Sequence, residues 1–155
     1  MSWLIDKIKN RESGIVVYGI TPPKKGTTEE QIKEIAKRQI ERLQTLNLDG
    51  LILYDIQDEA SRTSNRRPFP FIETLDSYEY SEQYLGRLEI PKIIYRSVGK
   101  YTTTELSRFV ESAPSEKYLT VFVGAASRNQ ELALSLRDAY QLKSQAQSEL
   151  LLGGV

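Results

Sequence analysis

Gly14-Ile15-Val16-Val17-Tyr18-Gly19-Ile20, closed by Thr21-Pro22-Pro23, is the stretch from which the rest of the chain can be read. Its β-branched residues favour extended backbone, and two prolines cannot continue a sheet ladder, so a first strand with a sharp exit is predicted. Directly after it, Thr27 and Glu30 stand at capping-box spacing. Ile32, Ile35, Ala36, Ile40, Leu43 and Leu46 then recur at helical intervals among Lys, Arg and Glu. That pattern predicts a long amphipathic helix. Asp49-Gly50 opens Leu51-Ile52-Leu53-Tyr54, an uninterrupted apolar run suited to a strand covered on both faces. Strand, helix, buried strand is the unit of a parallel sheet.

The same alternation continues. Ile56 to about Asp76 is a long polar, proline-bearing connection, and loops of that length usually form sites or are disordered. Tyr78 to Leu88 predicts a short helix and Pro91 to Val98 a third strand. Thr102 with Glu105 makes a capping box for a helix whose stripe is Leu106, Phe109 and Val110 and which stops before Pro114. Lys117 to Val123 is a fourth strand ending in Gly124-Ala125-Ala126-Ser127. Ser135 to Gln145 is a further helix, and Glu149 to Leu152 a fifth strand. Parallel strands joined by right-handed crossovers fit two architectures. One is a five-stranded doubly wound sheet; the other is the N-terminal part of a (β/α)8 TIM barrel, which needs about 250 residues when whole.

Composition narrows the chemistry. The 155 residues hold 21 Lys+Arg against 21 Asp+Glu, so the basic field of a phosphate-backbone binder is missing and nucleic acid is not the expected partner. With no Cys and no His, thiol nucleophiles, disulfides, His-assisted hydrolysis and most zinc sites are excluded, and no metal is expected. No apolar run approaches the roughly 20 residues of a membrane span, and Met1-Ser2-Trp3-Leu4-Ile5-Asp6-Lys7 lacks a long signal-peptide core. A cytoplasmic protein of one domain, residues 1–155, is expected, with self-association left open. A phosphoacceptor receiver would need acids after its first and third strands, where this chain has Thr21-Pro22-Pro23 and Ser97-Val98-Gly99. A flavodoxin-type phosphate loop finds little support in Pro22-Pro23-Lys24-Lys25-Gly26.

Four segments together resemble the N-terminal half of the methylenetetrahydrofolate reductase family of flavin-dependent barrels. They are Gly19-Ile20-Thr21-Pro22-Pro23-Lys24, Glu59-Ala60-Ser61-Arg62-Thr63, Tyr95-Arg96-Ser97-Val98-Gly99 with its Thr-Glu-Leu helix start, and Phe122-Val123-Gly124-Ala125. The likeness covers roughly residues 14 to 155 and implies a longer barrel of which this chain is part. It further implies an oxidoreductase in which NAD(P)H reduces FAD and FAD reduces a folate-like one-carbon acceptor. The family's general acid falls on Gly19, its flavin-tuning Asp on Ala125 and its flavin-contacting His on Tyr95. With both acids replaced, the alternative is a non-catalytic flavin- or folate-binding barrel, or a protein-interaction module.

Working groups of a parallel α/β sheet sit at the carboxyl ends of its strands. Thr21, Asp55, Gln57, Tyr95, Arg96, Ser97, Gly124, Ser127 and Arg128 are therefore placed on one rim. Asp55 is the remaining acidic candidate for the catalytic role, or else a loop brace. Under the family resemblance Tyr95, Ser97 and Gly124 line the flavin side. Arg96 and Arg128 suit a planar anion, or a salt bridge. Arg66-Arg67-Pro68-Phe69-Pro70-Phe71 could clamp a ligand or anchor its own loop, Glu59 and Arg62 could pair with each other, and Tyr78, Tyr80 and Tyr84 suit an interface, a lid or a half-exposed helix.

Overall fold

The computed structural model describes residues 3–58, 65–66, 68–124 and 133–155. Five parallel strands alternate with helices: α1 (Trp3–Lys9), β1 (Val17–Ile20), α2 (Glu29–Leu43), β2 (Gly50–Leu53), α3 (Ser77–Tyr84), β3 (Lys92–Ser97), α4 (Thr103–Ser112), β4 (Tyr118–Val123), α5 (Leu136–Gln145) and β5 (Leu151–Gly154). A 3-10 turn, Val98–Lys100, joins β3 to α4. The strands lie in the order β1-β2-β3-β4-β5, every neighbour pair parallel. The expected parallel α/β class is thus observed. Strand order follows chain order without a reversal, as successive strands of a barrel do.

Alternation along the strands sorts side chains onto two faces. Leu51, Leu53, Ile94 and Phe122 join Ile32 and Ala36 of α2, Tyr80 of α3, Leu106, Phe109 and Val110 of α4, and Ala139 of α5 in one core. Those four helices therefore cover one face. A second, smaller core forms on the other, where Leu4 and Ile5 of α1 pack on Leu119, with Trp3, Ile93 and Leu151 beside them. Helix α1 plugs the amino end of that face. Gly50 makes the plug fit: a Cβ there would lie 2.6 Å from Leu4 Cδ2 and 3.3 Å from the Pro91 carbonyl oxygen. No described helix is long and apolar enough to cross a membrane.

Local departures from the sequence expectation have local causes. The N-cap of α2 is Thr28, one residue beyond Thr27: Thr28 Oγ1 accepts from Gln31 N at 3.3 Å, and Gln31 Oε1 accepts from Thr28 N at 3.3 Å. Thr27 instead donates its hydroxyl to Lys24 O at 2.7 Å and closes the turn after the prolines. β1 begins only at Val17, because Gly14 takes a left-handed φ of 76° and Val16 N donates to the Asp49 carboxylate at 2.9 Å. β5 runs two residues further than expected, as Gly153 and Gly154 pair with Val121 and Phe122. The capping box Thr102–Glu105 forms as expected, and Ser135 with Asp138 adds another at α5.

Candidate functional site

The carboxyl ends of the strands open, on the face away from α2 to α5, into a cleft of about 510 Å³ lined by Thr21, Tyr54, Gln57, Phe71, Tyr95 and Ser97, with Asp55 at its floor. All five strand exits meet here, Val123 at the end of β4 and Val155 after β5 included. The β1 exit is held by the polypeptide beyond β2: Lys24 and Thr74 form an antiparallel bridge, Lys25 N donates to Glu73 O at 2.8 Å, and Leu75 N donates to Pro23 O at 2.8 Å. Two rim loops are thereby zipped into one wall. The prolines at 22 and 23, which cannot donate to the sheet, leave the chain free to turn into this bridge.

Asp55 leaves β2 with its side chain only 5% exposed. It accepts from Ser97 N at 2.8 Å, Lys100 Nζ at 2.6 Å and Tyr101 Oη at 2.7 Å. Ser97 Oγ returns a bond to the Asp55 carbonyl at 2.9 Å, and Lys100 Nζ also reaches Ile56 O at 2.9 Å. The carboxylate thus staples the β2 exit to the turn after β3. Burial raises the Tyr101 phenol well above its ordinary range; Arg96 opposes that and Asp55 adds to it. The phenol stays protonated and serves Asp55 as a donor.

Tyr54 stands on the cleft side, 40% exposed, while its backbone is fixed by Tyr54 N donating to Ile20 O at 3.0 Å and by Ser77 Oγ donating to Tyr54 O at 2.9 Å. Its ring meets Tyr95 edge to face, centroids 5.2 Å apart and planes at 77°. The Tyr95 phenol is pushed up by partial burial and by Tyr54. Gly19 lies under the ring of Tyr54: a Cβ at this position would be 2.5 Å from Tyr54 Cε2 and 2.9 Å from Tyr54 Oη. At the position onto which the resemblance maps the reductase family's acid, this chain has an aromatic ring overhead. Gln57 crosses the cleft and donates Nε2 to Gly124 O at 3.2 Å.

Of the rim residues expected from the sequence, Thr21, Asp55, Gln57, Tyr95 and Ser97 line this cleft, and Gly124 borders it through its carbonyl. Arg96 does not. It points to the helix side, 3% exposed, donating to Asp76 Oδ2 at 2.8 Å and Oδ1 at 3.1 Å and lying 4.2 Å over the Phe109 ring. Alternation places it there, since Tyr95 and Ser97 face the cleft. Asp76 also caps α3, accepting from Tyr78 N and Glu79 N. Burial works against its charge, but Arg96 and the helix amides prevail and hold its carboxyl below the usual range. Tyr78 and Tyr80 belong to the helix-side packing, Tyr78 against Phe109 and Tyr118, Tyr80 fully buried against Tyr84. Phe71 reaches the cleft while Phe69 is exposed. Glu59, Ala60, Ser61, Arg62, Thr63, Arg67, Ala125, Ser127 and Arg128 lie outside the described residues.

Tyr54 was not singled out by the sequence reading, because it closes an apolar run. With Leu51 and Leu53 facing the helices, residue 54 has to face the cleft, and that alternation was the available signal.

No family model matches the chain, and neither does any curated protein. Among solved structures it is similar to an uncharacterized protein from Clostridium thermocellum that binds two copies of 5-methyl-5,6,7,8-tetrahydrofolic acid. The two are 50% identical over 97% of this chain and superpose with a TM-score of 0.82. This chain spans 47% of that protein's length.

Proposed function

We propose that this chain binds a reduced folate in the cleft at the carboxyl ends of its strands, as a binding module whose own carboxylates move no proton. The observation that carries this reading is the 50% identity to a protein solved with 5-methyltetrahydrofolic acid. The cleft supports it chemically. Its volume suits a small ligand, its walls are largely apolar and aromatic, and a few polar groups converge on it, as small-molecule sites require. Gln57 Nε2 is engaged by Gly124 O, which leaves Oε1 to accept from the amino and amide N–H groups of a pterin edge.

The absence of an acid at Gly19, and the engagement of Asp55 by three donors, support binding over proton transfer. Among the described residues lining the cleft, Asp55 has the only acidic side chain, and it is engaged by three donors of the brace. A flavin fits these residues less well than a pterin. The described lining offers no Lys or Arg to a pyrophosphate, and Ser97 gives both its amide and its hydroxyl to Asp55. The reductase reading, with FAD and NAD(P)H, draws its support from the sequence resemblance.

Calorimetric titration of the 155-residue chain with 5-methyltetrahydrofolate, and separately with FAD, tests the proposal. Saturable heat with the folate and none with FAD is the expected outcome. A chain that takes up FAD and becomes coloured, yet ignores the folate, would overturn it.

A further inference from the structure

Resting on the folate reading, we infer that Tyr54 is the stacking platform that orients the ligand's pterin ring, and that Gly19 determines this by having no side chain. Three observations meet at this point. The Tyr54 backbone is pinned from both sides, by Ile20 O and by Ser77 Oγ, so the ring's origin is fixed while its far end is open to the cleft. The space the ring occupies exists only because residue 19 stops at Cα, since a Cβ would come within 2.5 Å of the ring. Tyr95 stands nearly perpendicular to it at 5.2 Å, so the two rings form a corner.

A planar heterocycle laid on one wall of such a corner presents its edge to the other. The pyrimidinone half of a reduced pterin is planar and rich in hydrogen-bonding edge atoms, so stacking on Tyr54 leaves that edge for Gln57 and Tyr95 to read. Aromatic stacking of a nucleobase-like ring strengthens binding by roughly tenfold or more and fixes which face of the ring meets the wall. The exposed ring has no comparable role in the fold: its face is not buried in either core. Gly19 and Tyr54 therefore act as one unit, the glycine a positioning residue and the tyrosine a contact.

A double-mutant cycle tests the unit. Wild type, Tyr54→Leu, Gly19→Ala and the double variant are titrated with 5-methyltetrahydrofolate, with thermal unfolding of each as the folding control. Tyr54→Leu should weaken binding roughly tenfold. Gly19→Ala should weaken it comparably by pushing the ring aside, and Gly19→Ala placed in the Tyr54→Leu background should cost nothing further. Tyr54→Phe, which keeps the ring, should recover most of the binding that Tyr54→Leu loses. Unchanged affinity in Tyr54→Leu, or a Gly19→Ala loss that persists at full size without the ring, would overturn the inference while leaving folate binding standing. A wild-type chain that fails to bind the folate would instead remove the reading beneath it.

Discussion

On the helix-covered face of the sheet Leu51, Leu53 and Ile94 are 0% exposed and Phe122 is 1% exposed, whereas Tyr54, one residue beyond Leu53, is 40% exposed on the other face. The two faces are made by the same strands and differ in what lies over them. Four helices bury the first along its length; a single short helix, α1, covers the second at its amino end and leaves the carboxyl end open. The Arg96–Asp76 pair is locked under α3 and α4, the Asp55 cluster braces the cleft, and Tyr101 joins them, accepting from Arg96 at 3.2 Å and donating to Asp55 at 2.7 Å. One face carries the larger core and the other the open cleft, so on the folate proposal substitutions on the two should separate stability from binding.

The largest effect expected from such a separation is at Asp76. Asp76→Ala strands a buried guanidinium and removes the α3 cap together, and breaking a buried pair costs about 3–5 kcal/mol. The urea midpoint should fall accordingly, with folate affinity unchanged in the fraction that remains folded. Asp76→Asn keeps a good cap and should recover about 1 kcal/mol of the loss. A clear affinity change at constant stability would break the division between the faces.

Leu4→Ala, at the plug, comes next. It removes a fully buried side chain from the smaller core, at a cost of about 2–4 kcal/mol. Because the plug and the cleft occupy opposite ends of one face, thermal unfolding should move down while ligand affinity holds. A parallel loss of affinity would show that the open end depends on the closed one.

The smallest effect is a pH slope on the helix side. Lys92 is buried beneath the end of α3, donating to Leu88 O at 2.5 Å, and desolvation brings its ammonium down from 10.5 to about 8. Between those values the unfolded chain holds more protons than the folded one, so stability should rise as pH climbs from about 8 towards 10. Burial moves the Tyr80 phenol up to about 12, which works the other way above pH 10 or so. Lys92→Met should abolish the rise, measured as urea midpoints at about pH 7.5 and 9.5. A slope that survives the substitution would assign it to another group.

Much of this division is legible in the residues. The apolar run Leu51-Ile52-Leu53-Tyr54, the helical stripe of Ile32, Ala36 and Leu43 and the Thr102–Glu105 box each encode their element locally, and each forms. Placement by alternation was equally available: it sends Tyr95 and Ser97 to the cleft and Arg96 to the helices. What stayed illegible depends on partners distant in the chain. Nothing near Asp55 announces that Ser97, Lys100 and Tyr101 converge on it, and Gly19 looks like an ordinary strand glycine until Tyr54 is seen above it. Helix α1 escaped for the same reason, since its seven residues gain their order from Leu119 and Leu151 at the far end of the sequence.

That dependence has a consequence in time. Trp3, Leu4 and Ile5 are made before the surface that receives them, which is complete only when β4 and β5 have emerged. Until then the segment has only part of its native surface, Ile15, the start of β2 at Gly50 and Ile93, and its docking on Leu119 and Leu151 closes a long loop. The segment that seals the bottom of the sheet is thus made early and settles late, and a chaperone that engages nascent apolar stretches would find its target there.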